Sequence, residues 1–154
     1  MKEQDDPIFV LGNEGSNSLQ LIIEDYAFPD KTDFWDGNFL NVKISIKAGG
    51  FIGNFNAELI NIDFLKFREG LENLYKNLTS TSNIRFKEDK IIIKIKGDGK
   101  GHFTSDCIAN DDPGIYGNEL KFSIYFDQTE IINLIRTIDK IINKFPIKEI
   151  EKFS

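Results

Sequence analysis

Residues 40–59 read Leu40-Asn41-Val42-Lys43-Ile44-Ser45-Ile46-Lys47-Ala48-Gly49-Gly50-Phe51-Ile52-Gly53-Asn54-Phe55-Asn56-Ala57-Glu58-Leu59. As far as Lys47 the alternation is strict. Leu40, Val42, Ile44 and Ile46 fall on one face and Asn41, Lys43, Ser45 and Lys47 on the other, the period of a strand half-buried against a core. Gly49-Gly50 reverses the chain, and Phe51, Phe55, Ala57 and Leu59 share a face on the return, so the stretch predicts a β-hairpin. At Asn61 the period changes. Phe64, Phe67, Leu71, Leu74 and Leu78 stand three or four residues apart, which predicts a helix with one apolar face. Asn61 is placed as its N-cap, and Asp63 sits in the first turn, where the helix dipole favours a carboxylate. Gly70 costs such a helix about 1 kcal/mol against Ala and leaves room for a strand to approach. Polar residues 79–83 end it.

Outward from this unit, the same two periods recur. Towards the N-terminus, Leu19, Leu21 and Ile23 alternate as a strand. Before them the short apolar run Ile8–Leu11 closes on a Gly12-Asn13-Glu14-Gly15 turn, and residues 25–38 after them form a loop. Towards the C-terminus, strand signals appear at Ile84 and Phe86, and at Ile91, Ile93 and Ile95 beyond a Glu88-Asp89-Lys90 turn. A turn over Gly97–Gly101, an extended run Phe103–Asn110, a turn at Asp111-Asp112-Pro113-Gly114 and alternating Leu120, Phe122, Ile124 and Phe126 follow. Asp127-Gln128-Thr129-Glu130 reads as a capping box. It opens a last helix whose apolar face is Ile131, Leu134, Ile135, Ile138, Ile141, Ile142 and Phe145, and Pro146 stops it. No internal repeat, linker or low-complexity tract shows. The order strands, helix, strands, helix with hairpin-length connections predicts an α+β fold: a mainly antiparallel sheet and two amphipathic helices that cover one side or plug its ends. The 154 residues suit one domain with one core, residues 1–7 and 147–154 being looser termini.

The formal charge of −6 disfavours nucleic acid, whose phosphates demand Lys and Arg, and anionic membranes for the same reason. The lysines alternate along strands, as on a solvated face. A single cysteine, Cys107, rules out an internal disulfide. The charged start Met1-Lys2-Glu3-Gln4-Asp5-Asp6 has no signal-like apolar stretch behind it, and no apolar run approaches the roughly 20 residues of a membrane span. Cytoplasmic residence is the expectation.

Reactive chemistry finds little support. His102-Phe103-Thr104-Ser105-Asp106-Cys107 holds a base, two nucleophiles and a carboxylate, but an extended segment turns His102 and Asp106 one way and Ser105 and Cys107 the other. A nucleophile has to reach its base, so no catalytic residues are assigned. One His and one Cys cannot supply a structural zinc site. Thr32 and Phe34 fall where a calcium loop ending at Asp36-Gly37 needs oxygen ligands. The glycines of 97–101 lack phosphate-loop spacing. No metal or cofactor is expected, and helix capping accounts for Asp127 and Glu130.

Two segments suit a macromolecular partner instead. Residues 26–36 place Trp35 among Asp30, Asp33 and Asp36, and residues 106–116 carry Asp106, Asp111, Asp112 and Tyr116. Aromatic anchors rimmed by acids are what a basic partner would bury. The bland alternative turns Phe28, Phe34 and Trp35 inward over the core and leaves the acids solvated.

Three stretches together resemble the WapI-type immunity proteins, partners of wall-associated contact-dependent toxins: Asp33-Phe34-Trp35-Asp36-Gly37-Asn38-Phe39-Leu40-Asn41-Val42; Gly53-Asn54-Phe55-Asn56-Ala57-Glu58-Leu59 with Phe64-Leu65-Lys66-Phe67; and Phe126-Asp127-Gln128-Thr129, leading to Phe145-Pro146. The resemblance runs from about Leu19 to Pro146. It implies a non-enzymatic cytoplasmic protein that neutralises a polymorphic toxin by binding it, without cofactor, and it assigns no contact residues. The competing expectation is a small-molecule-binding or enzymatic β-rich domain with a concealed site.

Overall fold

The computed structural model describes residues 6–13, 15–112 and 114–149. Four antiparallel strands come first: β1 (Ile8–Gly12), β2 (Ser18–Tyr26), β3 (Phe39–Ala48) and β4 (Phe51–Ile60). Helix α1 (Asn61–Lys76) follows. Then come β5 (Thr81–Arg85), β6 (Ile91–Gly97), β7 (His102–Asn110) and β8 (Glu119–Asp127), and α2 (Gln128–Lys144) closes the chain. Each sheet is a meander in sequence order, β1-β2-β3-β4 and β5-β6-β7-β8. The expected α+β class is therefore present as two four-stranded sheets rather than one. The unit of four strands and a helix occurs twice, a repeat of architecture with no counterpart in residue identity.

The β3–β4 hairpin pairs Ala48 with Phe51 and keeps its register without a break to Phe39 and Ile60. Leu40, Val42, Ile44 and Ile46 are buried as their alternation requires. One continuous core joins both sheets and both helices. Phenylalanine does much of the joining: Phe67 of α1 lies 5.5 Å from Phe9 of β1, while Phe64 lies 5.0 Å from Phe86 beside β5. The helices are tied to each other at the surface by Arg68, whose Nε donates to Asp139 at 2.6 Å.

Gly70 meets its expectation. A Cβ there would stand 2.0 Å from Oγ and 3.1 Å from Cβ of Ser82, so α1 seats directly on β5. The capping box of α2 is present too: Asp127 accepts from the Thr129 amide at 2.9 Å, and Glu130 accepts from the Asp127 amide at 3.2 Å.

Two local expectations need correction. Asn61 does not cap α1; the cap position is Ile60, with no side-chain bond. The buried Asn61 amide instead donates to Oδ1 of Asn38 and to the Phe145 carbonyl, pinning the start of α1 to the end of α2. Asn38 completes the knot by accepting from the Lys148 amide at 2.8 Å. Residues 81–83 are strand rather than helix end, because Ser82 turns inward beneath Gly70. At the edges of the described chain, the Pro7 carbonyl accepts from Ile23 and Lys148 Nζ donates to the Lys31 carbonyl at 2.9 Å. The expected loose termini otherwise lie outside the described residues, as do Glu14 and Pro113 of two expected turns.

Candidate partner interface

Along β7 burial alternates as the strand period demands: His102 and Asp106 are exposed, Ser105 and Cys107 buried. His102 pairs with Asp98, Nδ1 to Oδ2 at 3.2 Å. The Lys100 and His102 amides hold the Asp98 carboxyl below the usual carboxylate range. Ser105 Oγ and Cys107 Sγ lie 3.4 Å apart on the opposite face, out of reach of that base. Burial pushes the Cys107 thiol up to about 11. Only on the order of one thiol in a thousand is then ionised near pH 8, and thiolate is the reactive form. Native protein is accordingly expected to leave Ellman's reagent unreacted, while guanidinium-unfolded protein releases one equivalent; fast reaction of the native state would show that β7 opens readily.

Beside this segment runs an open groove of about 580 Å³ lined by Asp98, His102, Tyr125, Asp127 and Glu130. Asp127 and Glu130 are engaged in the helix cap and Asp98 by His102, so these groups do not converge on the space. Among the described residues no three His, Cys, Asp or Glu gather closely enough to hold a metal ion.

The first acid–aromatic segment lies at the end of the first sheet where β3 begins. Phe34 is buried, as the inward reading had it, but Trp35 is half exposed. Its ring stacks edge-on to Phe34 at 4.9 Å and carries the Lys87 ammonium 4.5 Å above it. Asp33 accepts from the Asp36 amide at 3.0 Å, closing a short 3-10 turn over Asp36–Asn38, and Asp30 is exposed nearby. This loop is thus braced by two of the chain's own lysines, Lys87 and Lys148.

The second segment divides. Asp106 is mid-strand in β7 rather than in a loop, accepting from Ser123 Oγ at 2.8 Å. Asp111 accepts from both the amide and the side chain of Asn118, which close the β7–β8 loop and hold its carboxyl below the usual range. Asp112 accepts from the Gly114 amide at 3.2 Å. Tyr116 stands at the tip, 89% exposed, beside Ile115 at 90%. Facing this loop is the β3–β4 hairpin, where Phe51 is 69% and Ile52 75% exposed. A cleft of about 490 Å³ separates the two, floored by Ile46, Phe55, Ala109 and Leu120 and rimmed by Asp111 and Glu119.

The structure therefore brings Asp111 together with apolar residues that the alternation had concealed, while Asp112 and Tyr116 stand on the same β7–β8 loop outside the lining of the cleft. Asp30, Asp33, Trp35 and Asp36 lie at the far end of β3, whose ten residues span roughly 30 Å. Phe51 sits on the core-facing side of β4 but beyond the core, because the hairpin projects past it. A signal did exist: Phe51-Ile52 and Ile115-Tyr116 are adjacent apolar pairs at turns, which no single buried face of a strand can accommodate.

An exposed apolar cleft with an acidic rim, on a doubled α+β scaffold, marks a surface suited to a macromolecular partner. The sequence model of the immunity protein WapI-like family matches residues 9–146, and the chain belongs to that family. No curated protein matches the sequence. Among solved structures, the MRP1/MRP2 proteins of Trypanosoma brucei share the fold at a TM-score of 0.51 and 13% identity, over 92% of this chain and 87% of theirs. A guide-RNA-binding protein complex bound to its guide RNA gives 0.51 and 12%, over 90% of each chain. WHY1 of Arabidopsis thaliana gives 0.42 and 13%, over 94% and 89%. At such identities the likeness to the first two is one of fold alone.

Proposed function

We propose that this chain is a non-enzymatic immunity protein that acts in the cytoplasm by binding and neutralising a polymorphic toxin, without cofactor. The family match over most of the chain carries the reading. The cleft between the β3–β4 tip and the β7–β8 loop is the contact surface. Phe51, Ile52 and Tyr116 supply apolar anchors, and Asp111 and Asp112 supply charge for a basic partner. The net charge of −6 weighs against carrying over the guide-RNA binding named for one structural neighbour, and against a membrane surface. No helix among the described residues is long and apolar enough to cross a membrane.

The test is co-expression with the C-terminal domain of the protein encoded directly upstream. Cells carrying that domain should grow only when this chain is present, and the two purified proteins should form a stable complex. Phe51→Ser with Ile52→Ser should weaken the complex by about 2 kcal/mol, near thirtyfold, with little change in melting temperature, since both side chains already face solvent. Asp111→Asn with Asp112→Asn should slow association and flatten its salt dependence, whereas Asp30, Asp33 and Asp36 changed together to Asn should not. An upstream domain that is harmless, or toxic but unbound, would defeat the reading.

A further inference from the structure

We propose that β4 is a docking edge, along which an extended segment of the toxin adds to the first sheet, backbone to backbone, over Ile52–Glu58. This rests on the toxin-binding reading and specifies how the partner is held.

The hairpin turn sets the geometry. Gly49 has φ +61° and Gly50 has no positive φ, the pattern of a two-residue II′ turn. The closing pair Ala48–Phe51 then bonds to itself, and pairing alternates along the strand. Main-chain groups of Phe51, Gly53, Phe55, Ala57 and Leu59 point at β3. Those of Ile52, Asn54, Asn56 and Glu58 point away, and no described residue outside the hairpin bonds to them.

The other three outer strands make contacts outside their own sheets. β1 packs on α2 and β8, and β5 packs on α1. β8, the strand that corresponds to β4 in the second half, receives the Asn17 amide on its Ser123 carbonyl at 2.9 Å. Outside its own sheet, β4 packs chiefly on α1, into which it leads directly. Soluble proteins usually blunt such an edge with Lys, Pro or a bulge, because an open ladder recruits strands. Between Phe51 and Ile60 there is no Lys, no Pro and no break in register. Space for a strand lies alongside: the 490 Å³ cleft borders Phe51–Phe55, and a second of about 250 Å³ borders Asn56–Glu58 and Glu88.

Charge selects the occupant. Lys121 pairs with Glu119 at 3.6 Å and Lys43 with Glu24 at 3.5 Å, which leaves Glu58, Glu88 and Asp111 lining the two clefts against Lys90, with Lys47 across from Ile52. A second copy docked edge to edge about a two-fold would set these acids against themselves, with −6 on each chain. A toxin strand with Lys or Arg flanking apolar residues matches both the rim and Phe51, Ile52 and Tyr116.

The decisive measurement is amide hydrogen exchange by NMR on the isotope-labelled chain, alone and with an inactivated C-terminal domain of the upstream-encoded protein. Alone, the amides of Ile52, Asn54, Asn56 and Glu58 should exchange fast while those of Gly53, Phe55 and Ala57 are protected. The toxin domain should slow the first four by about a hundredfold. Asn54→Pro deletes an outward N–H that β3 does not use, a substitution edge strands tolerate, and should weaken the complex by about tenfold or more; Asn54→Ala should stay within about twofold. If Asn54→Pro does not fold, wild-type exchange decides alone. Four amides still fast in a complex that shifts Phe51, Ile52 and Tyr116 would overturn strand addition and leave the toxin-binding reading intact. Absence of any complex would sink that reading itself. Protection that appears with chain concentration alone would assign the edge to a second copy and overturn the proposal.

Discussion

Ile138→Asp should abolish the folded state. Ile138 is completely buried at the middle of α2, in the core cluster that includes Phe64, Phe67 and Leu71 of α1. An aspartate there would be ionised without a partner, or protonated with its hydrogen-bonding groups unmet, and burying an unpaired charge is among the costliest single changes. A loss beyond about 4 kcal/mol is expected against a total stability of roughly 5–15 kcal/mol for a domain of this kind. Ile138→Val, which removes one methylene, should cost only about 1 kcal/mol. Near-ultraviolet circular dichroism and amide NMR dispersion read both. The carboxyl would favour its protonated form in the folded state, so whatever structure survives is retained at low pH and lost as pH rises. A cooperative, native-like Ile138→Asp protein at neutral pH would mean that α2 turns a different face inward.

Gly97→Ala should be nearly as damaging, for a reason of space rather than backbone freedom. A Cβ at Gly97 would stand 2.0 Å from the Leu78 carbonyl oxygen and 2.9 Å from the Phe103 ring. Neither neighbour can yield cheaply. The Leu78 carbonyl accepts from Gly99 at 3.0 Å, and Gly97 itself donates to Ser80 at 3.2 Å. Phe103 is buried and stacked 5.4 Å from Phe126. A loss of about 3 kcal/mol, the upper end for overpacking, corresponds to a melting temperature lower by roughly 6–12 °C in a chain of this length. Gly50→Ala is the control, since nothing lies within 4 Å of its Cβ position. Equal melting temperatures for the two variants would contradict the contact between the end of β6 and residues 78–80.

The fate of Gly97 illustrates what the sequence could and could not convey. Strand and helix faces were legible because burial enforces period: Leu40 to Ile46 and Ile131 to Ile141 face the core as their spacing required. Gly97, grouped with the turn that follows it, is a close-approach position set by a segment nearly twenty residues earlier, which no local pattern reveals. The division into two sheets was equally hidden, since hairpin lengths fix neighbours but not which outer strands meet. At the proposed interface, the acids and Tyr116 of the β7–β8 loop were visible as composition. Phe51 was not, because its alternation is that of a core residue and only the reach of the hairpin beyond the core exposes it.

That every strand pairs with its neighbour in sequence also bears on how the chain comes to be folded. Pairings so local close short loops at little entropic cost, and low contact order is associated with fast folding among β-containing proteins. The first sheet can zip from hairpin to hairpin as the chain leaves the ribosome, with α1 emerging next to cover it. The second half then arrives on a surface already in register. For a member of an immunity family, pairing this local favours a short interval between synthesis and a folded chain.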